Sequence, residues 1–379
     1  MKASAWAGKF PWSIFIAAVL LIGLGWLGIA RVEELTGGSG RILHQQVAYS
    51  AIAVVLMLLA AAPNYRILCR FSYPLYFFAL LLLVIVFRFP AINDAHRWIR
   101  LGPLGFQPSE LAKPAFILAL ARYLMYRENF RRLRGLAAPL MLTLAPVLLI
   151  FMGPDLGTAL VFLPVFLIML FAAGAKRSDL ICMVAAGLLA MPLLWTQMNV
   201  DQKSRVATLL DQPAPGRIPG KHAYQLYQGK QVRAMGGVWG SFFTGQPTDD
   251  PAAYHLPEAR SDFIFCILGE RFGLPGMVLT LALFGWIVCR GLAIAAETRE
   301  PFGRLLAVGV AALFAVEALV HTGVCVGLLP TTGLSLPLVS YGGSGLLAHA
   351  VALGLLMNVG LRPGYEVTNE PFRFVVDSG

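Results

Sequence analysis

The chain has 379 residues, of which 58% are hydrophobic and only 13% are charged. That balance excludes a soluble globular domain. The net charge of +10 does not mark a nucleic-acid binder, because the basic residues fall mostly in short loops between apolar runs. The first run, 13–30, carries no charge over 18 residues and is long enough to cross most of a bilayer. It follows the helical rather than the alternating strand pattern, and only helices or closed barrels satisfy their backbone groups in lipid. Lys2 and Lys9 precede this run without a small-residue cleavage site, so it reads as a retained anchor.

Nine further segments follow: 47–62, 75–87, 111–125, 136–152, 158–175, 180–198, 262–289, 305–329 and 344–361. The expected fold is an all-α polytopic membrane protein of about ten transmembrane helices, a single integral domain over 1–379. A large extracytoplasmic loop, 199–261, joins the seventh and eighth helices. Pro114 and Pro146 predict kinks or short helices at the fourth and fifth segments. The Lys/Arg bias places both termini in the cytoplasm: Arg66 and Arg70, Arg122 to Arg134, Lys176 and Arg177, Arg290 to Arg304, and Arg362 share one side. Arg88, Arg97 and Arg100 run against that bias, and an anionic ligand is the simplest reason to keep them on the outer face. The five cysteines, without a CxxC pair, suit buried apolar positions rather than disulfides or zinc.

Four motifs carry polar chemistry. QPSELAK (107–113) opens the fourth helix, with Glu110 and Lys113 on one face. An ordinary i,i+3 pair explains that spacing as well as phosphate binding by Lys113 does. In GPDLGT (153–158), Asp155 reads first as a helix cap. In LPEARSDFIF (256–265), Glu258, Arg260 and Asp262 run straight into an apolar helix. Taken alone, Asp262 is a good N-cap, but an ionisable group where a loop enters the membrane is also a candidate for function. PLVSYGGSG (337–345), with Ser340, reads equally as a re-entrant turn or a flexible loop. Glu270-Arg271 marks an expected break in an overlong helix, and His321 reads as a satisfied buried histidine rather than a catalyst.

These motifs, with AHRWIRLG (95–102) and RVATLLD (205–211), stand in an order that resembles the SEDS family of shape, elongation, division and sporulation proteins, which includes RodA and FtsW. The resemblance spans nearly the whole chain. It implies a peptidoglycan glycosyltransferase that polymerises lipid II at the outer face of the bacterial inner membrane, beside a class B penicillin-binding transpeptidase. It makes Asp262 the catalytic carboxylate and carries Arg97, Trp98, Glu110, Lys113, Asp155 and the SYGGS segment with Ser340 into the site. The short N-terminal tail favours the elongation, RodA-like type. The chain departs from the family pattern at QPAPGRIPGKHAYQ (212–225), at the loop 241–254 with Asp249 and Asp250, and at His321.

The chemistry so implied needs a base for the acceptor hydroxyl and cations for the leaving pyrophosphate. Asp262 suits the first, and Arg97, Arg100, Lys113 and Arg205 the second, with Glu110 orienting Lys113 and Glu258 beside the base. A divalent cation, Mg or Mn, would assist the leaving group, but no ligand cluster stands at metal-binding spacing. The competing reading is a lipid-linked precursor flippase that uses Glu317 and His321 within the membrane. A ligase moving a lipid-linked glycan to another acceptor and a non-enzymatic scaffold rank below it.

Overall fold

The computed structural model describes residues 10–90, 96–101, 104–126, 133–210, 221–245 and 254–364. Lys2, Lys9, the stretch 212–220, Asp249 and Asp250 lie outside these residues, as do Arg127, Arg131 and Arg132. The described residues form thirteen α-helices and one two-stranded hairpin. The helices α1 (Trp12–Thr36), α2 (Arg41–Ala61) and α3 (Tyr65–Ile85) lead to the antiparallel hairpin β1 (Ile99–Leu101) and β2 (Leu104–Phe106). There follow α4 (Pro108–Tyr126), α5 (Ala137–Met152), α6 (Leu156–Ala173) and α7 (Arg177–Gln197). The expected loop 199–261 carries α8 (Val200–Leu210), α9 (Lys221–Met235) and the single turn α10 (Ser241–Thr244). Last come α11 (Ile264–Glu297), α12 (Pro301–Val326) and α13 (Gly343–Leu361).

Each of the ten expected segments lies on a helix, but they differ in kind. Seven helices are long and apolar enough to cross a membrane: α1, α2, α3, α7, α11, α12 and α13. Helices α5 and α6 are apolar but shorter, and α4 is diluted by Glu110, Lys113 and Arg122. Their burial sorts them further. The apolar window of α12 is 83% buried and that of α13 is 78% buried, against 6% for α7. Thus α12 and α13, packed on α4, α2 and α11, form the centre, and α7 presents nearly all its side chains outward. In water such a helix would be a liability. In lipid its Leu189 and Leu193 are in their preferred solvent.

Helices α4 and α5 continue through Pro114 and Pro146, and α5 is short, at 16 residues. Neighbouring helices stabilise the turn that a proline weakens. The real break falls in α11 at Gly273, with φ 61° and ψ −153°, two residues beyond Arg271. Only glycine takes that conformation without strain, and Pro275 follows it. Glu270 itself is fully buried in an ion pair with Arg31 of α1, Nη2 to Oε1 at 2.7 Å, and Ser241 bonds the same guanidinium. The segment after α9 docks on this break by backbone contact. A Cβ at Gly236 would lie 2.2 Å from Gly269 O, and one at Gly240 would lie 2.4 Å from Arg271 O.

At the end of the bundle away from the hairpin, side chains close the open carbonyls of helix ends. Asn358 Nδ2 donates to Ala60 O, Ala61 O and Pro63 O beyond α2, and Arg362 adds bonds to Ala61 O and Ala62 O. Arg122 donates to Cys69 O and Arg70 O and stacks on Tyr73. Glu300 caps α12 by accepting from Gly303 N at 2.6 Å. All five cysteines are free.

Candidate active site

At the hairpin end the helices enclose a cavity of about 850 Å³. Its wall is built from four loops. The first is the hairpin. Strand alternation sends Trp98 and Arg100 to one face and buries Ile99 on the other, so Trp98 and Arg100 both line the cavity. Arg97, just before β1, also lines it. The Arg97 guanidinium is held by Asp155, Nη1 to Oδ1 at 3.9 Å, and by the carbonyl of Pro154. Asp155 caps α6 as expected: its Oδ1 accepts from Thr158 N and its Oδ2 from the Thr158 hydroxyl. It thus performs two tasks, starting a helix and aiming an arginine.

The second loop is 256–263. Glu258 has φ 53°, an unfavourable left-handed conformation for a residue with a side chain. That conformation folds the chain so that Ser261 N, Asp262 N and Phe263 N all donate to Glu258 O. Phe263, not Asp262, is the N-cap residue of α11, and no side chain caps that end. The cap reading of Asp262 therefore fails, because its carboxylate turns to the cavity instead. Burial raises the Asp262 carboxyl from 3.8 to about 6. The like charge of Glu258 adds to the rise, while the Ser261 hydroxyl, Arg205 and Arg97 pull it back.

The third loop, after α12, passes Asp262 at Gly333. Beneath it lies Gly157, in the first turn of α6, where a Cβ would stand 2.3 Å from Thr332 O. Arg205 of α8 reaches over to bond Thr331 O at 3.4 Å. The fourth is the SYGGS segment. Ser340 donates to Ser261 O at 2.5 Å and accepts from Leu336 N at 2.8 Å. Gln46 of α2 bonds both Ser340 O and Gly342 N. Tyr341 N donates to Arg260 O, and Ser344 bridges Gly105 O and Gln107 N. These bonds make it a fixed strap across the 256–263 loop rather than a flexible connection.

Asp262, Arg97, Trp98, Arg100, Glu110, Arg205, Glu258 and Ser340 all line the cavity. Lys113 and Asp155 do not. The phosphate-binding expectation for Lys113 is corrected by its surroundings. It is buried between Glu110, at 2.8 Å, and Glu317 of α12, at 2.5 Å, so two carboxylates already occupy it. Glu317 in turn meets His349 Nε2 of α13 at 2.5 Å. His321 bonds Leu334 O through Nδ1 and serves the third loop. His349, which lines the cavity, escaped the sequence reading, as did Tyr49. An ionisable side chain within a charge-poor helix was the available signal for His349. Among the described residues no group of three or more His, Cys, Asp or Glu side chains could hold a metal ion.

Residues 11–362 match the FtsW/RodA/SpoVE family of cell cycle proteins. The chain belongs to this family. Among FtsW/RodA/SpoVE relatives, the "Probable peptidoglycan glycosyltransferase FtsW" of Geobacter sulfurreducens is 38% identical over 327 residues, covering 84% of this chain and 85% of the relative. The peptidoglycan glycosyltransferase MrdB of Escherichia coli K12 is 35% identical over 320 residues, covering 84% and 85%. A chain of a solved peptidoglycan synthase complex, described for its coordination of polymerization and crosslinking, superposes with a TM-score of 0.77 at 31% identity over 93% of this chain and 97% of that one. The crystal structure of the rod shape determining protein RodA of Thermus thermophilus gives 0.70 at 30% identity over 94% and 98%. The multi-pass membrane architecture and the SEDS resemblance stand on these matches. The FtsW and MrdB relatives match at nearly equal identity, 38% and 35%, so similarity does not resolve a RodA type from an FtsW type.

Proposed function

We propose that this chain is a peptidoglycan glycosyltransferase that polymerises lipid II, with Asp262 as general base. The observation that carries the reading is a half-buried carboxylate, raised to about 6, facing the same cavity as four arginines, Arg97, Arg100, Arg205 and Arg260. A base works best when its pKa lies near the working pH. Asp262 takes the proton of the acceptor sugar hydroxyl as that oxygen attacks the donor anomeric carbon. The bond to the undecaprenyl pyrophosphate breaks, and the arginines stabilise the departing charge. With no covalent intermediate, the anomeric centre inverts. Trp98 offers a flat apolar face beside Arg97 and Arg100, suited to a sugar ring. Asp155 and Ser340 position Arg97 and the Asp262 loop from behind, and Glu258 tunes the base. Lys113 supports Glu110 and does not touch the leaving group.

The outer face of the inner membrane, cytoplasmic termini and a class B penicillin-binding transpeptidase partner complete the reading. The Lys/Arg distribution supports the first two, and the likeness to a chain from a peptidoglycan synthase complex supports the third. The test is polymerisation of purified lipid II by reconstituted protein. Wild type makes glycan strands, and folded Asp262→Asn makes none. Equal yields from the two remove Asp262 from the mechanism. No polymer from wild type, even with its transpeptidase, returns the flippase.

A further inference from the structure

The quartet Glu110, Lys113, Glu317 and His349 reaches the cavity through its two ends, Glu110 and His349, while its middle is sealed. The four residues are 4%, 2%, 0% and 2% exposed. Their hydrogens can be counted from geometry. His349 Nδ1 lies 2.6 Å from Gly345 O, and a backbone carbonyl only accepts, so Nδ1 carries a hydrogen. His349 Nε2 lies 2.5 Å from Glu317 Oε2. A neutral imidazole with its hydrogen on Nδ1 would bring a lone pair against a carboxylate oxygen. The contact therefore holds one proton more than neutral histidine and ionised glutamate supply between them, on Nε2 or on Oε2. With that proton the charges close: −1 from Glu110, −1 from Glu317, +1 from Lys113 and +1 from the shared proton sum to zero. Without it, a sealed site carries one uncompensated negative charge, which is costly in low dielectric.

We infer that Glu317 and His349 are positioning residues for the polymerisation proposed above, and that their shared proton holds Lys113 and Glu110 in the catalytic arrangement. The chain of influence is short. His349 anchors one oxygen of Glu317, the other oxygen holds the Lys113 ammonium, and Lys113 fixes Glu110 at the cavity wall. The edge of the Phe314 ring packs on the imidazole, at 5.6 Å between centroids, and limits its rotation. The ionisable groups facing His349 are Glu317 from α12 and, through it, Lys113 and Glu110 from α4. Tyr49 of α2, Glu258, Asp262, Arg97, Arg100, Arg205, Arg260 and Tyr341 share the cavity. Without that proton Glu317 loses its anchor, Lys113 is drawn toward it alone, and Glu110 is released. The consequence is a fall in polymerisation that does not come from Asp262.

This inference rests on the glycosyltransferase reading. Its test is the kcat and KM of lipid II polymerisation for wild type, Glu317→Gln, His349→Asn and the double variant, each shown folded by thermal unfolding. The expected loss falls on kcat. Each single variant loses at least about tenfold, because each leaves a charged group facing a neutral amide. The double variant replaces the proton-sharing pair by two amides that can bond each other. It recovers at least about tenfold over the weaker single variant. A double variant that loses the product of the two single losses overturns the assignment. So do single variants that keep the wild-type kcat. Wild type that makes no glycan at any pH fails earlier, at the glycosyltransferase reading itself, and is thereby distinguished from failure of the pair.

Discussion

Two sets of carboxylates, one at and behind the cavity wall and one facing the cavity, are treated in opposite ways. Glu110 and Glu317 sit among Lys113 and His349, with every charge answered within hydrogen-bond distance. Asp262 and Glu258 are close enough to repel each other, and Arg97 and Arg205 act on Asp262 only from across open space. The first set is saturated, so it can hold shape but has little left to offer a ligand. The second is unsaturated, so it is a poor structural element and a good reagent. In the proposed reaction, pairing separates the residues that build this site from those that react in it. Sequence spacing alone cannot draw that line, since both sets begin as an acid with a basic residue nearby.

The sharpest way to break the comparison is to remove a member of the saturated set. Lys113→Met leaves two buried carboxylates without their cation and is expected to cost about 3–5 kcal/mol, read as a large fall in melting temperature in detergent. A change of under about 1 kcal/mol would mean that water already reaches Glu317. The unsaturated set responds in the other direction. Asp262 titrates at about 6 in the folded protein against 3.8 unfolded, so the folded state holds its proton more tightly. Stability therefore falls as pH rises from 3.8 to about 6, and the full penalty stands above that window. Asp262→Asn escapes it and gains about 1–3 kcal/mol at pH near 8 but nothing below pH near 4. Equal melting temperatures at both pH values would show the carboxylate to be well solvated.

How far the sequence reached follows the same division. Asp262 was legible because an acid stands at the mouth of an apolar helix, and Arg97 and Arg100 because they violate a charge bias. Asp155 was legible as a cap because capping is local, three residues long. The environment of Lys113 was not, because Glu317 lies 204 positions away and nothing in either segment announces the other. The same holds for Glu270, whose partner Arg31 is 239 positions distant. There the sequence showed that something unusual happens near 270–276 but misplaced the break, which the Gly273 and Pro275 spacing marks better than the charges do. Ten helical segments were readable from hydropathy. Their roles were not, because α7 and α12 look alike in hydropathy and differ in how much of each is surrounded by other helices.

Two smaller effects sharpen the contrast. Polymerisation should fall about tenfold per pH unit below pH near 6, as Asp262 takes up its proton. A rate independent of pH between about 4.5 and 6 would show another base at work. At the opposite end of the bundle, Glu300 caps α12 and is pushed up to about 6 by burial, yet it borders no part of the cavity. Glu300→Ala should cost about 1 kcal/mol of stability and leave glycan yield per folded molecule unchanged. A loss of yield at constant folded protein would show that the two ends of the bundle communicate.

The seating of the chain after α9 on the break in α11 has a consequence for variation. Gly236, Gly240 and Gly273 bring main chain onto main chain, so the fit is specified by missing atoms. Trp239, Phe242 and Phe243 beside them are more than half exposed and specify little of it. In a saturation library the conspicuous aromatics would tolerate exchange, and the three unremarkable glycines would not. Nor would a second change at one glycine rescue a first at another, because a clash with a carbonyl is not relieved by adding an atom elsewhere. Heritable change could therefore redecorate this surface freely while the seam beneath it stays frozen.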